Sequence, residues 1–520
     1  MAPRILGTSL SLACGLLAAH AAAHDVELEF LGRYETGSFA TGASEISAFD
    51  PATRRAFVTN GATGQIDVLD LADPTAPAFL FAIDLSPWGS HANSVSAFGG
   101  VVVAAVEADA KTDPGQAVFF DTDGAYINAV EVGALPDMIT FTHNGRYVLV
   151  ANEGEPDDAY AIDPEGSVSV IDLRDGAAHI DQGDVRTAGF GGFDAADLDP
   201  SVRIFGPGAS VAQDMEPEYI TSSDDERWAW VTLQENNAIG IIDIRHARVV
   251  AIRGLGFKNY NRPGQGIDAS DRDGGINIRN WPVRGMYQPD AIASFERWGI
   301  PFLVMANEGD SRDYGGFSEE ARIGGVTLDP TAFPNAADLQ SSANLGRLKI
   351  TTTLGDTDGD GDYDRLYAYG ARSFSIRLPD GTLIFDSGDD LEQLTAALLP
   401  ADFNSDDEEN DSFDSRSDDK GPEPEGVAVG RVGNRTYAFI GLERVGGMAV
   451  YDVTNPFLAH YAGYINTRDF AGDPVAGTAG DMSPEGLLFV SAEDSPNGDA
   501  MIIMTNEVSG TTATFRVRPN

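Results

Sequence analysis

The sequence predicts an all-β fold, a seven-bladed β-propeller closed by its own N-terminal strand and carrying long loops on one face. Three observations predict it. Seven segments repeat one pattern of three short β-rich runs broken by polar turns, and a fourth run follows most of them. The last repeat stops one run short, while an unassigned run of the right kind lies near the N-terminus.

The repeats open at "SEISAFDP" (Ser44), "HANSVSAF" (His91), "PDMITF" (Pro136), "PEYITS" (Pro217), "PDAIASF" (Pro289), "PEGVAV" (Pro424) and "PEGLLFV" (Pro484). Gly, Asn and Asp punctuate each one where hairpin turns are needed. Fourth strands are expected at "AFLFAIDLS", "YINAVEVG", "VVAIRGLG" and "AHYAGYI". The final repeat ends at "TATFRVRPN", so "VELEFLGRYETG" (Val26–Gly37) is expected to supply its fourth strand and remove an open sheet edge.

Composition narrows the function classes. The chain has 520 residues, is 42% hydrophobic and carries a formal charge of −47, so it has ample material for a core. No basic surface is available to neutralise phosphates, which excludes a nucleic-acid reader. Residues 1–23 read as a signal peptide: Arg4, then an apolar run, then Ala21–Ala23 as a small-residue cleavage site. Cleavage there removes Cys14, the single cysteine, and leaves residues 24–520 as one propeller. No other stretch approaches the roughly 20 apolar residues of a membrane span. A secreted or periplasmic monomer is expected. A hydrated acidic surface accounts for bulk charge, but not for acids at fixed structural positions.

Those positions follow from the fold. A propeller's first strand lines the channel and its second returns antiparallel, so the start of one and the end of the other share a face. First-strand starts carry Glu45, Asp137, Glu218, Asp290, Glu425 and Glu485, with His91 and Asn93 in the second repeat. Second-strand ends carry Glu107, Glu153, Glu235, Glu308, Glu443 and Glu507, with Asn60-Gly61 in the first. Hence "ANEG" appears twice, at Ala151–Gly154 and Ala306–Gly309. Two carboxylates 5 Å apart repel by about 3 kcal/mol at an effective dielectric of 20. Either several protonate, or cations sit among them, or the acids bond neighbouring N–H groups and brace the blades. Oxygen-only ligands select hard cations, Ca²⁺ first and Mg²⁺ or Fe³⁺ after it. The candidate ligands are Glu153, Glu218, Glu235, Asp290, Glu308, Glu425, Glu443, Glu485 and Glu507.

The long connections, roughly 155–165, 174–214, 258–288, 311–366 and 386–422, are all expected on this carboxylate face. One contains "DTDGDGDYD", where Asp356, Asp358, Asp360 and Asp364 take the first, third, fifth and ninth places of an EF-hand-type loop. Tyr367 stands where the bidentate Glu belongs, so a structural calcium site is expected. The loop "FNSDDEENDSFDSRSDDKGPEPEG" is expected to pack through Phe403 and Phe413. Histidines show no zinc spacing, and there is no nucleophile elbow or phosphate-cradling loop. Arg312, Arg372, Arg416, Lys420 and Arg444 are the cations expected near the mouth, and salt-bridging to adjacent acids is the plainer role for each.

The motifs "ANEGEPDD", "ANEGDSRDY", "TTTLGDTDGDGDYD", "GARSFSI", "DSRSDDKGPEPEGV" and "GLERVGG" together resemble the choice-of-anchor I family. That family is related to mesenchyme-specific cell-surface glycoproteins of biomineralising animals, and its bacterial members are often labelled alkaline phosphatase-like. The resemblance implies an exported propeller. The chain ends straight after its last strand, without the family's variable C-terminal anchor, which favours a periplasmic or free protein over an attached one. Two functions are compatible with these readings. One is a calcium-dependent phosphoesterase in which Arg312 or Arg372 clamps the phosphoryl group of a phosphoester substrate. The other is a non-catalytic calcium-binding module for mineral, an extracellular polymer or a protein partner.

Overall fold

Short β-rich runs joined by tight turns pair with their sequence neighbours before anything else, and that local rule builds this structure. The computed structural model describes residues 26–520; the expected signal peptide 1–23, with Cys14, lies outside the described residues. Seven four-stranded antiparallel sheets follow in chain order. Their first strands are Ser47–Asp50, Ala92–Phe98, Pro136–Phe141, Pro217–Ser222, Ile292–Arg297, Pro424–Val432 and Pro484–Val490. These define blades 1 to 7. Each first strand neighbours the next around a ring, and that of blade 7 neighbours that of blade 1.

Alternation along each strand places the core between blades. In blade 4, Ala229, Val231 and Leu233 face blade 3, packing with Leu149 and Val168, whereas Trp230 faces Leu303 and Met305 of blade 5. In blade 2, Val102 and Ala104 join Phe57 and Val68 of blade 1, while Val103 and Ala105 join Val148 and Val150 of blade 3. Both faces of each sheet are therefore apolar, and the ring is a cycle of buried interfaces.

The cycle closes as expected. Val26–Glu35 pairs antiparallel with Thr511–Pro519, from Val26 opposite Pro519 to Glu35 opposite Thr511, with one bulge between Phe30 and Gly32. Val26, Phe515 and Val517 are buried in the blade 6–7 interface, and Arg33 pairs with buried Asp481 at 2.9 Å.

Two further fourth strands emerge that periodicity does not show: Val185–Gly189 in blade 3 and Leu383–Asp386 in blade 5. The first corrects the expected 174–214 loop. Residues 174–184 turn between the third and fourth strands on the opposite face, and only 190–216 return on the carboxylate side. The 258–288 and 311–366 connections form an annex with its own core, including Trp281, Ile323, Leu345 and Leu366. A mixed sheet of Phe257–Asn259, Arg284–Met286 and Tyr367–Ala368 ties the annex to blade 5. The 386–422 connection contains the helix Asp390–Leu398. Phe403 is fully buried as expected, whereas Phe413 is 41% exposed.

Deleting Val26–Arg33 leaves the blade 7 edge unpaired and strips one wall from the blade 6–7 interface. The expected outcome is loss of cooperative thermal unfolding in the truncated protein. A melting transition within a few degrees of the intact protein's contradicts ring closure by this strand.

Candidate metal centre at the channel mouth

The recurrence of Asn-Glu at strand ends has a physical reason. Asn152, Asn307 and Asn506 are completely buried at the ends of three second strands. Their amides bond the start of the third strand: Asn152 Nδ2 to Ser169 Oγ at 3.0 Å, Asn307 Nδ2 to the Ser373 carbonyl at 2.8 Å, Asn506 Nδ2 to the Thr511 carbonyl at 3.2 Å. With the strand end held, Glu153 and Glu308 turn towards the channel. Gly154 and Gly309 come next at φ +71° and +96°, and a Cβ at Gly309 would lie 2.1 Å from the Gly370 nitrogen. Only glycine permits that turn and that approach.

The first-strand starts and second-strand ends meet in a cavity of about 470 Å³ at the channel mouth. Glu153, Glu218, Asp290, Glu308, Glu425, Glu443 and Glu485 all line it, joined by Glu45, Asp137 and Asp310. Ile46, Met138 and Tyr219 form part of its floor. Glu235 and Glu507 do not line it. Glu235 is buried behind Gln234, whose amide lines the cavity and donates to Glu308 Oε2 at 3.0 Å.

The cations are Lys420 and Arg444. Lys420 Nζ bonds Glu308 and lies 3.2 Å from Glu423. Arg444 bonds Glu423 at 2.9 Å, Asp407 at 2.6 Å and Glu443 at 2.9 Å. Arg416 adds a 2.7 Å bond to Glu423. Glu423, preceding Pro424, is thus a fully buried carboxylate held well below its ordinary range, because Lys420, Arg416 and Arg444 outweigh the effect of burial.

The two arginines expected to clamp a phosphoryl group do not reach the mouth, which corrects that expectation. Arg312 is 2% exposed and is consumed by Asp214 and by Glu216, the latter at 2.8 Å. Arg372, equally buried, donates to the carbonyls of Asp268, Ser417 and Asp419 at 2.6, 2.8 and 2.8 Å and to Glu392 at 2.5 Å. Both knit the loops to the ring.

What remains is an excess of buried negative charge. Burial, reinforced by neighbouring carboxylates, raises the carboxyls of Glu153, Glu218, Asp290, Glu425 and Glu443 well above their usual range. Burial, with Glu485, Glu507 and Asp137 near, pushes Glu45 up to about 9. Burial, with Glu507 and Glu308 near, pushes Glu485 to about 7, and burial, with Glu155 and Glu107 near, pushes Asp137 to about 6. Glu218 Oε2, Glu425 Oε2 and Glu443 Oε2 are buried without any hydrogen-bond partner among the described residues. Buried polar atoms ordinarily have partners, so each of these asks for a proton or a cation.

The donor set fits a hard cation. Single oxygens of Asp290, Glu308 and Glu425 all lie within 4.8 Å of one another. Two oxygens each about 2.4 Å from one Ca²⁺ can be at most about 4.8 Å apart, so this trio has the span of a shared ion. Glu308, Glu423 and Glu443 form a second such trio, but Lys420 and Arg444 already neutralise it.

In the annex, Asp356, Asp358 and Asp360 converge within the same 4.8 Å, exposed to solvent. Asp364 does not join them: it accepts from Thr357 N at 2.8 Å and groups with Asp329 and Asp362 instead.

With fold and mouth described, comparison with known proteins becomes informative. Residues 45–456 match the choice-of-anchor I domain. The chain belongs to the choice-of-anchor I family. Relatives include Gigasin-3a of Magallana gigas, 34% identical over 194 residues covering 35% of this chain and 67% of that protein. Another is the mesenchyme-specific cell surface glycoprotein of Strongylocentrotus purpuratus, 29% identical over 294 residues, 49% of this chain and 36% of that one. This choice-of-anchor I chain thus spans about a third of the urchin glycoprotein. Kuenenia stuttgartiensis hydrazine synthase aligns at a TM-score of 0.47 and 11% identity over 94% of this chain and 100% of that one, too distant to carry an argument. No helix among the described residues is long and apolar enough to cross a membrane.

The raised carboxyls predict how the metal-free protein responds to pH. A group whose folded pKa exceeds its unfolded value binds more protons when folded, so its stabilising effect is lost as pH rises through the folded value. In chelator-treated protein the melting temperature should fall between about pH 6 and pH 9, the window spanned by Asp137, Glu485 and Glu45. Added Ca²⁺ should abolish that fall. A flat profile without metal contradicts the charge excess.

Proposed function

We propose that this choice-of-anchor I propeller is an exported module that loads hard divalent cations, calcium first, at its channel mouth and uses them to bind an anionic extracellular ligand. One observation carries the reading: the Asp290–Glu308–Glu425 trio has the span of a shared ion, and Glu425 keeps a buried oxygen without a hydrogen-bond donor among the described residues. The cell-surface location printed in the name of the urchin relative supports a place outside the cell. Glu308 holds its position through Lys420 and Gln234, and Glu425 sits at the ring-facing start of blade 6. The rigid ring therefore presents the donors without reorganisation.

Bare, this mouth repels anions. A bound cation would supply the positive charge that draws in a carboxylate, sulfate or phosphate group. The exposed Asp356–Asp358–Asp360 loop is read as a separate calcium clip that stiffens the annex. Changing those three to Asn should reduce the Ca²⁺-dependent rise in melting temperature while leaving ligand binding at the mouth intact. An unchanged rise means that the loop holds no metal.

The phosphoesterase reading keeps one supporting observation: Lys420 and Arg444 line the same cavity as the trio, placing two cationic side chains beside a candidate metal. Both are already engaged by carboxylates, and the expected arginine clamp is absent from the mouth, so binding is the better-supported function. The deciding experiment measures metal content and hydrolysis of a generic phosphomonoester by the chelated, calcium-reloaded protein and its Glu308→Gln and Glu425→Gln variants. Each variant should lose about one calcium per chain while remaining folded. Unaltered stoichiometry in both removes the metal centre. Calcium-dependent hydrolysis lost with Glu308→Gln promotes the enzymatic reading over the binding one.

A further inference from the structure

Glu308 belongs to both carboxylate trios at the mouth. One of its oxygens lies within 4.8 Å of oxygens of Asp290 and Glu425, and one lies within the same distance of oxygens of Glu423 and Glu443. A carboxylate shared by two cation positions is the frame of a two-metal site, where ions about 3.5–4 Å apart work together. The second trio is the more enclosed of the two. Glu308, Glu423 and Glu443 are 8%, 0% and 6% exposed, whereas Asp290 and Glu425 are half-buried. Glu443 Oε2 is buried there without a donor among the described residues.

A cation already stands in that second trio, and it belongs to the chain. The Lys420 ammonium bonds Glu308 Oε1 and lies 3.2 Å from Glu423 Oε2. Arg416 and Arg444 take Glu423 from its flanks, at 2.7 Å to Oε1 and 2.9 Å to Oε2, and Arg444 also pairs with Glu443 Oε1 at 2.9 Å. Those guanidinium groups are planar forks, whereas an ammonium is a compact point charge, closer in kind to a bound ion. The segment that presents Lys420 is fixed. Buried Arg372 donates to the Ser417 and Asp419 carbonyls, both at 2.8 Å, and Gly421 N donates to the Arg416 carbonyl at 2.9 Å. Gly421 turns at φ +69°, and a Cβ there would lie 2.9 Å from Arg372 Nη1. Arg372 thus helps to deliver Lys420 to the cavity that it lines.

We propose that Lys420 is the residue that sets the mouth at one divalent ion: its ammonium fills the second of two cation positions that share Glu308, the one made by Glu308, Glu423 and Glu443. The inference rests on the reading that Asp290, Glu308 and Glu425 hold the first ion, and it says what kind of centre that reading gives. An ammonium neutralises carboxylates as a metal does, but it has no open coordination position and cannot generate a bound hydroxide. The mouth is therefore a one-metal binder built on a two-metal frame, which favours holding a ligand over hydrolysing it.

The test counts calcium per chain in full-length protein carrying Asp356→Asn, Asp358→Asn and Asp360→Asn, so that the annex loop does not contribute. After chelation and reloading with Ca²⁺, elemental analysis of this background should give the mouth's one ion, lost on adding Glu425→Gln. Adding Lys420→Met instead should raise the count by about one ion per chain, and adding Glu443→Gln to Lys420→Met should take that ion away again. Lys420→Gln removes the same charge with a polar side chain and should behave alike, with circular dichroism checking each fold. An unchanged count in folded Lys420→Met or Lys420→Gln, while Glu425→Gln still loses its ion, overturns the inference and leaves the first position standing. A gain that survives Glu443→Gln lies elsewhere and also overturns it. So does failure of both Lys420 variants to fold in saturating Ca²⁺, because the ion then does not replace the ammonium. No ion lost with Glu425→Gln overturns the reading of the mouth and the inference together.

Discussion

Like charge forced together in a confined space is the constraint around which the rest of this structure is arranged. Seven blades packed face to face leave their inner strands no freedom to spread, so the acids at the first-strand starts, with Glu153, Glu308 and Glu443 from second-strand ends, are delivered to one small mouth. Repulsion of about 3 kcal/mol for each close pair at an effective dielectric of 20 is comparable to a substantial part of a protein's net stability. Several such pairs cannot all remain ionised and unpaired. The apolar interfaces, sealed by Val26–Glu35, hold the ring against that repulsion.

Around the mouth the chain answers the constraint in two ways. On the blade 6 side it supplies its own cations, Lys420, Arg416 and Arg444, delivered by the 403–423 segment and the end of the second strand. On both sides of the mouth it also leaves oxygens of buried carboxylates unsatisfied among the described residues, Glu218 Oε2, Glu425 Oε2 and Glu443 Oε2. A protein that needed only to brace its blades would be more stable with glutamine or apolar residues there, since burying unpaired charge is costly. Retaining carboxylates with their oxygens free is what a cation site requires. The 258–288 and 311–366 connections leave from this same face and pack a core of their own.

Much of this was legible in the sequence, and the exceptions have identifiable causes. The repeats from Ser44 to Pro484, the closing strand and the convergence of Glu153, Glu218, Asp290, Glu308, Glu425, Glu443 and Glu485 follow from strand periodicity and antiparallel geometry. The strands Val185–Gly189 and Leu383–Asp386 were hidden because turns and small residues surround them. Glu235 aligns with the ring, yet a one-residue difference, Gln234 facing in, takes it off the cavity wall. Arg312 and Arg372 stand beside acidic motifs in sequence, but their partners, Asp214, Glu216 and Glu392, are contributed by other loops. No local pattern reveals such long-range pairs. Lys420 is expected near the mouth from its place in the acidic loop, but only the fold identifies Glu308 as its partner there.

The most direct test is crystallographic. Protein crystallised after loading with Ca²⁺, and with Mn²⁺ as an anomalous substitute, should show a metal peak bridging carboxylate oxygens of Asp290, Glu308 and Glu425 at distances of about 2.1–2.6 Å. Well-ordered crystals in which those three side chains bond only to one another, to Lys420 and to water, with no anomalous peak at the mouth, would contradict the account at its centre.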